Sequence, residues 1–123
     1  MAKLVADSVL DGAINVVKNA TGLTQILCST QPTTRSEAVT TYALADVALT
    51  SGDVVAGNGD TSGRKGTIAA KSGVTVDASG TGNHVALVSS TELLYVTTTT
   101  STAVAAAGTV DIGSWKFEIA DPT

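Results

Sequence analysis

Apolar residues near the start of the chain recur with helical spacing. Val9, Ala13, Val16, Val17 and Ala20 fall at i, i+4, i+7, i+8 and i+11, and Leu10 and Ile14 widen the stripe. This pattern predicts a helix over 8–20. Ser8 and Asp11 have capping-box spacing, and Asp7 and Asp11 suit an electropositive helix N-terminus. Lys18 suits the opposite end, and Gly22 offers a stop. Gly12, inside the first turns, costs about 1 kcal/mol against Ala. Leu23–Ser29 then reads as a strand, broken by Gln31-Pro32-Thr33-Thr34. A second short helix is expected within Thr34–Ala43, capped by Thr34 with Glu37 three residues on.

From Asp46 onward, short apolar runs alternate with Gly, Asp, Asn and Ser clusters. Strands are predicted near 46–50, 53–56, 65–70, 73–77, 83–89, 92–100, 102–106, 109–112 and 114–120. Val85-Ala86-Leu87-Val88 and Leu93-Leu94-Tyr95-Val96 are continuous apolar runs. Successive strand residues face opposite sides, so both faces of this hairpin need covering. One face would meet an opposing sheet, the other the helix or another subunit. The last strand alternates: Trp115, Phe117 and Ile119 share one face, Lys116 and Glu118 the other. The fold class expected is mainly β, with minor α+β character. It is a β-sandwich-like single domain over 1–123, with the helix at about 8–20 and the β part at about 23–121.

Composition narrows the function classes. Hydrophobic residues make up 43% of the chain and charged residues 15%, which argues against a disordered tail or a coiled coil. With aromatics at 3%, the core must rest on Val, Ile, Leu and Ala. Seven scattered Lys and Arg against a net charge of −4 give no basic patch for nucleic acid, and no nucleic-acid partner is expected. No apolar run reaches the length of a membrane span, so no membrane partner is expected. An acid at Asp7 precedes any apolar signal core, so no secretory signal is expected. A single cysteine, Cys28, cannot form an internal disulfide. Its apolar run, Leu23–Leu27, predicts a buried, reduced thiol.

Candidate chemistry is sparse. His84 is the only histidine and reads as a rim residue rather than a catalytic base. A Cys28 nucleophile would need a basic neighbour to make thiolate, and none is visible in sequence. Asp53 and Asn58-Gly59-Asp60 offer oxygen ligands but lack the spacing of a calcium loop. Gly57–Gly66 is glycine-rich, yet Arg64-Lys65-Gly66 replaces the Gly-Lys-Ser/Thr of a phosphate loop. That segment reads as a wide hairpin loop whose Arg64 and Lys65 pair with an acidic partner surface. No catalytic residue, cofactor or metal is assigned, and the chain is expected not to be an enzyme.

Several segments together carry a family resemblance. They are Met1-Ala2-Lys3-Leu4-Val5-Ala6-Asp7-Ser8-Val9-Leu10-Asp11, Gln31-Pro32-Thr33-Thr34, Tyr42-Ala43-Leu44-Ala45-Asp46-Val47 and Asp60-Thr61-Ser62-Gly63-Arg64-Lys65. To these are added Gly82–Val88, Leu93–Thr97, Gly108–Ile112 and Glu118–Thr123. Over most of its length the chain resembles small virion proteins of tailed double-stranded DNA bacteriophages, of the head decoration (cement) type. The resemblance implies a structural protein made in the host cytoplasm and carried on the outer capsid surface. Its implied partners are the major capsid protein and copies of itself, as a trimer first and a dimer second. Contacts are expected at Met1, Lys3 and Leu4, at Arg35 and Tyr42 in the segment Pro32–Tyr42, and at Arg64 and Lys65. The alternatives are a tail, collar or fibre component and, further off, a cell-wall or polysaccharide hydrolase, which would need a carboxylate pair in a cleft. An exported adhesion module would need a signal.

Overall fold

The computed structural model describes residues 5–121, so Met1, Lys3 and Leu4 lie outside the described residues. The fold is mainly β, with one main N-terminal helix, as the sequence pattern predicts. Helix α1 spans Asp7–Lys18. Nine strands follow: β1 Thr24–Cys28, β2 Ala43–Ala48, β3 Val54–Asn58, β4 Arg64–Ile68 and β5 Lys71–Thr75, then β6 Gly80–Val88, β7 Leu93–Val104, β8 Thr109–Ile112 and β9 Trp115–Ile119. A π-helical turn occupies Glu37–Thr41 and a short 3₁₀ turn Ser51–Asp53. The first of these is the second short helix expected within Thr34–Ala43.

Four strands form the main sheet in the order β2-β1-β6-β7; β3-β4-β9 and β5-β8 form two smaller sheets. All the paired neighbours are antiparallel. Alternation along β1 and β6 gives the main sheet two apolar faces. On the inner face, Leu23 and Leu87 pack with Val54, Ile68 and Phe117 of β3-β4-β9 and with Ile14 and Val17 of α1. Farther along that face, Leu27, Ala45 and Val85 pack with Val74, Val76 and Ile112 around β5-β8. On the outer face, Ile26, Cys28, Ala86 and Val88 are covered by Ala38, Val39 and Tyr42.

That arrangement revises one sequence expectation. The outer face of the hairpin is covered by the crossover Pro32–Tyr42, not by α1. The crossover is held down by Arg35, whose Nε donates to the Ser89 carbonyl at 2.8 Å, and braced internally by Glu37, whose Oε1 accepts from the Thr33 amide at 2.8 Å and the Thr33 hydroxyl at 2.7 Å.

Helix α1 corrects a second expectation. Its buried residues are Leu10, Ile14 and Val17, whereas Val9 and Val16 are 64% and 61% exposed. The sequence carries two apolar stripes about a quarter-turn apart. The fold uses the one with the larger side chains, which fills more of the core per residue. The capping box at Ser8–Asp11 does not form: the N-cap is Ala6, without a side-chain hydrogen bond. Asp11 is drawn instead to Arg64 at 2.8 Å. Lys18 Nζ donates to the Val54 carbonyl at 2.9 Å, tying the helix end to β3. Gly22 lies beyond the helix end, at φ +68.

The strands expected at 92–100 and 102–106 are one twelve-residue strand, β7. Its register against β6 shifts between Gly82↔Thr102 and His84↔Thr98, so Thr99–Ser101 bulge opposite a single residue. The strand expected at 46–50 begins earlier, at Ala43, because β2 must reach back to pair with Cys28 of β1. In β9 the alternation holds: Phe117 is buried, Trp115 and Ile119 half-buried, Lys116 and Glu118 exposed.

Candidate functional site

Register brings together two reactive groups that lie far apart in sequence. Cys28 of β1 and His84 of β6 are directly opposite, and opposite residues share a face of the sheet. A thiol beside an imidazole is the usual beginning of a cysteine nucleophile. The environment here is wrong for that role. Cys28 is 0% exposed, and its Sγ lies 3.8 Å from the Ala38 carbonyl oxygen. Burial pushes its pKa up to about 11, which keeps the neutral thiol where a nucleophile needs thiolate. His84 Nδ1 is 2.6 Å from Asn83 Oδ1. The thiol is buried as the sequence predicts; the histidine opposite it was not legible there.

The loop between β3 and β4 spends its charges internally. Arg64 forms a two-pronged contact with Asp11, Nε to Oδ1 at 2.8 Å and Nη2 to Oδ2 at 3.3 Å, and donates through Nη1 to Asn58 Oδ1 at 2.8 Å. The Asp11 carboxylate holds the Arg64 pKa above its ordinary value. Lys65 meets Asp60 Oδ1 at 2.7 Å, and Lys116 meets Oδ2 of the same carboxylate. Gly63 makes the return at φ +67 and sits against the Ile119 carbonyl, where any Cβ would collide. Arg64 and Lys65 thus brace the molecule itself. The oxygen donors considered for calcium turn the same way: Asp53 to Lys71 at 3.0 Å, Asn58 to Arg64 and Asp60 to two lysines. Hydrogen bonds from the Thr50 amide and from Lys71 hold the Asp53 carboxyl below its ordinary range. Among the described residues, no three His, Cys, Asp or Glu side chains converge as a metal site would require. Nor is any described helix long and apolar enough to cross a membrane.

Arg35 and Tyr42, expected to meet a partner, are both half-buried in the crossover over the main sheet. They belong to one patch, while Arg64 and Lys65 open strand β4, at the end of the β3–β4 loop.

Among the described residues, two surfaces without a covering element bear on function. The first is β7, an edge strand of the main sheet. From Leu93 to Val104 it carries no charge and no proline, and Thr98–Ala103 are exposed. A groove of about 430 Å³ runs beside it, between Thr97–Thr100 and Gly113–Trp115, over Val85 and Ile112. Trp115 is fixed in that wall by donating to Gln25 Oε1 at 2.5 Å. Tyr95 leans on Trp115 and Phe117 with ring centroids 5.7 and 5.3 Å away. The second is the outward stripe of α1, Val9, Ala13 and Val16, all exposed. Sequence periodicity had placed these residues in the core, so their availability became visible only in three dimensions.

In comparisons with protein families, curated proteins and solved structures, nothing matches this chain.

Proposed function

We propose that the chain is a structural virion protein of a tailed phage, a decoration protein that binds the outer surface of the assembled capsid and stabilises the shell. The single observation that carries this reading is the bare edge of β7. Natural edge strands are normally guarded by charges, prolines or a covering element. Here twelve residues have neither charge nor proline, and the bulge at Thr99–Ser101 splits the edge into Leu93–Thr98 and Thr102–Val104. Such a split hinders open-ended sheet growth. It leaves short stretches of free amide and carbonyl groups for one specific partner strand.

Support also comes from the sequence resemblance and from the inert setting of the reactive side chains. A buried thiol of raised pKa and a histidine turned to its own neighbour favour a structural role over hydrolysis. The mechanism is linkage: a protein that binds only the assembled lattice stabilises it by its binding free energy. Many weak copies on one shell reinforce one another.

The test is to add purified protein to capsids that lack it, then measure binding and the temperature at which DNA is released. Saturable binding at hundreds of copies, with a raised release temperature, is the expected result. The Thr100→Lys/Thr102→Lys variant, which charges the free edge, should lose that binding. Saturation at a handful of copies would support the tail or collar alternative instead. No binding by the wild-type protein would overturn both placements.

A further inference from the structure

Three sheet edges meet at the groove beside β7. Strand β7 ends the main sheet, β8 ends the β5-β8 pair and β9 ends β3-β4-β9. Thr97–Thr100 of β7 form one wall. Ile112 at the end of β8, Gly113, Ser114 and Trp115 at the start of β9 form the other. Backbone groups on both walls are unclaimed. The bulge removes Thr99–Ser101 from the β6 ladder. Among the described residues, no backbone–backbone hydrogen bond ties Gly113 or Ser114 to another element.

The lining carries no charge. The charges that flank it in β8 and β9 are spent elsewhere: Asp111 accepts from the Gly73 amide, and Lys116 meets Asp60. Val85 and Ile112, 3% and 5% exposed, give the groove an apolar floor. Trp115 stands over that floor in an orientation fixed by Gln25. The groove thus offers free main-chain groups along its rim and an uncharged, preformed hollow below them.

We propose that the groove takes an extended, uncharged segment of the capsid subunit, which adds to the edge of β7 and sets an apolar side chain on Val85, Ile112 and Trp115. The inference rests on the virion role proposed above and names the chemistry of the segment that this edge receives. Unpaired amides and carbonyls in a strand edge are matched by another main chain. At about 430 Å³ the hollow has the size of a small-ligand pocket, enough for an anchoring side chain. A charged side chain there would lose its water with no counter-ion in reach. Alternate residues of an added strand face the same side, so the segment is apolar toward the groove and polar outward. The ladder of β7 is regular only up to Thr98. Main-chain pairing therefore ends where the hollow begins, and the anchor side chain lies at the end of the added strand.

Trp115 is the only tryptophan of the chain, so its fluorescence reads the groove alone. The probe is a short blocked peptide of alternating valine and threonine, beside a copy with lysine in place of its central valine. The first blocking variant is Gly113→Leu. Gly113 is exposed and a Cβ there meets nothing within 4 Å, so the added side chain occupies the mouth of the groove without entering the core. Thr99→Lys, exposed on the opposite wall, is the second, and thermal melts check that both fold. The expected result is a saturable fluorescence change with the neutral peptide. Either variant, or the lysine in the peptide, should weaken it at least about tenfold, and both variants should lose capsid binding in parallel. No saturable change with the neutral peptide would overturn the proposal, as would equal binding of the lysine copy. Variants that bind capsids as well as wild type would also overturn it and leave the virion role with a different contact. A mass of two copies that both variants abolish would give the groove to a second copy instead. Wild-type protein that takes the peptide but binds no capsid would refute the virion role and leave the peptide chemistry of the groove standing.

Discussion

Strands β6 and β7 form one hairpin, and both contain an unbroken apolar run, yet they have opposite fates. Val85, Ala86, Leu87 and Val88 of β6 are 3%, 0%, 0% and 1% exposed. Their neighbours in β7 are half-buried or exposed throughout, with Tyr95 at 40%. Position in the sheet makes the difference. Strand β6 has β1 on one side and β7 on the other, with a core cluster on each face. Strand β7 has a neighbour on one side alone, and its far half is threonine, which keeps β propensity without apolar bulk. A continuous apolar run therefore reports that a strand is covered on its faces. It does not report whether the strand's edges are taken.

The sharpest way to break this contrast is truncation on each strand. Leu87→Ala should cost about 3 kcal/mol, since Leu87 is fully buried where α1 meets both sheets. Thr98→Ala, exposed on the neighbouring strand, should stay within about 0.5 kcal/mol. Urea unfolding of both variants measures the pair, and equal losses would refute the contrast. Next in size is Gly82→Ala on β6. A Cβ there would stand 2.6 Å from Leu27 Cδ1 in a filled core, so the loss should be about 1–3 kcal/mol. The midpoint of the same urea titration reads it, and a neutral change would mean that Leu27 has room to move.

Two titrations sharpen the comparison on the outer face of β6. Cys28 has its pKa raised by burial from an ordinary value near 9 to about 11. A raised folded pKa gives stability that is fully present below the unfolded value and is lost as pH rises through the folded one. Stability should therefore fall between about pH 9 and 11, and Cys28→Ala should flatten that slope. A thiol reagent should label the native protein slowly at neutral pH; fast labelling would contradict the burial.

The smallest effect should come from Glu37, on the surface of the crossover. The Thr33 hydroxyl and then the Thr33 amide hold its pKa below the ordinary carboxylate range. A lowered folded pKa contributes above the unfolded value and is lost as pH falls through the folded one. Acidification should thus loosen residues 33–42 first. Hydrogen exchange in that segment should lose its acid dependence in Glu37→Gln.

Local pattern carried much of the fold. Helical periodicity located α1 to within two residues, and alternation assigned both faces of β9. The choice between two stripes of α1 was not legible, because periodicity counts apolar residues equally while the core selects Leu10, Ile14 and Val17 by volume. Strand β7 was expected as two strands, 92–100 and 102–106, whereas a bulge at Thr99–Ser101 lies within one continuous strand. The pairing of Asp11 with Arg64, 53 residues away, depends on where β4 lands against the helix. Register likewise set Cys28 opposite His84. Local readings of Asp11 as a helix cap and of Arg64 as a free cation could not foresee either contact. At the candidate surfaces, the β7 edge was written in composition as a threonine run. Its lack of a neighbour is a property of topology.

Strand β1 has a consequence for the order in which the chain is built. It is complete by residue 28, yet its partner β6 begins at Gly80. A nascent chain emerging at roughly 5–20 residues per second leaves Ile26 and Leu27 without the neighbouring strand β6 for several seconds. Pairing with β2 alone gives a two-stranded unit that is marginal in water. Closure of the β3-β4-β9 sheet waits longer still, because β9 begins only at Trp115. Such long-range pairing makes folding slow. Ribosome stalling anywhere before residue 115 would leave exposed a chain whose apolar strands lack partners, and that interval is when chaperone protection matters most.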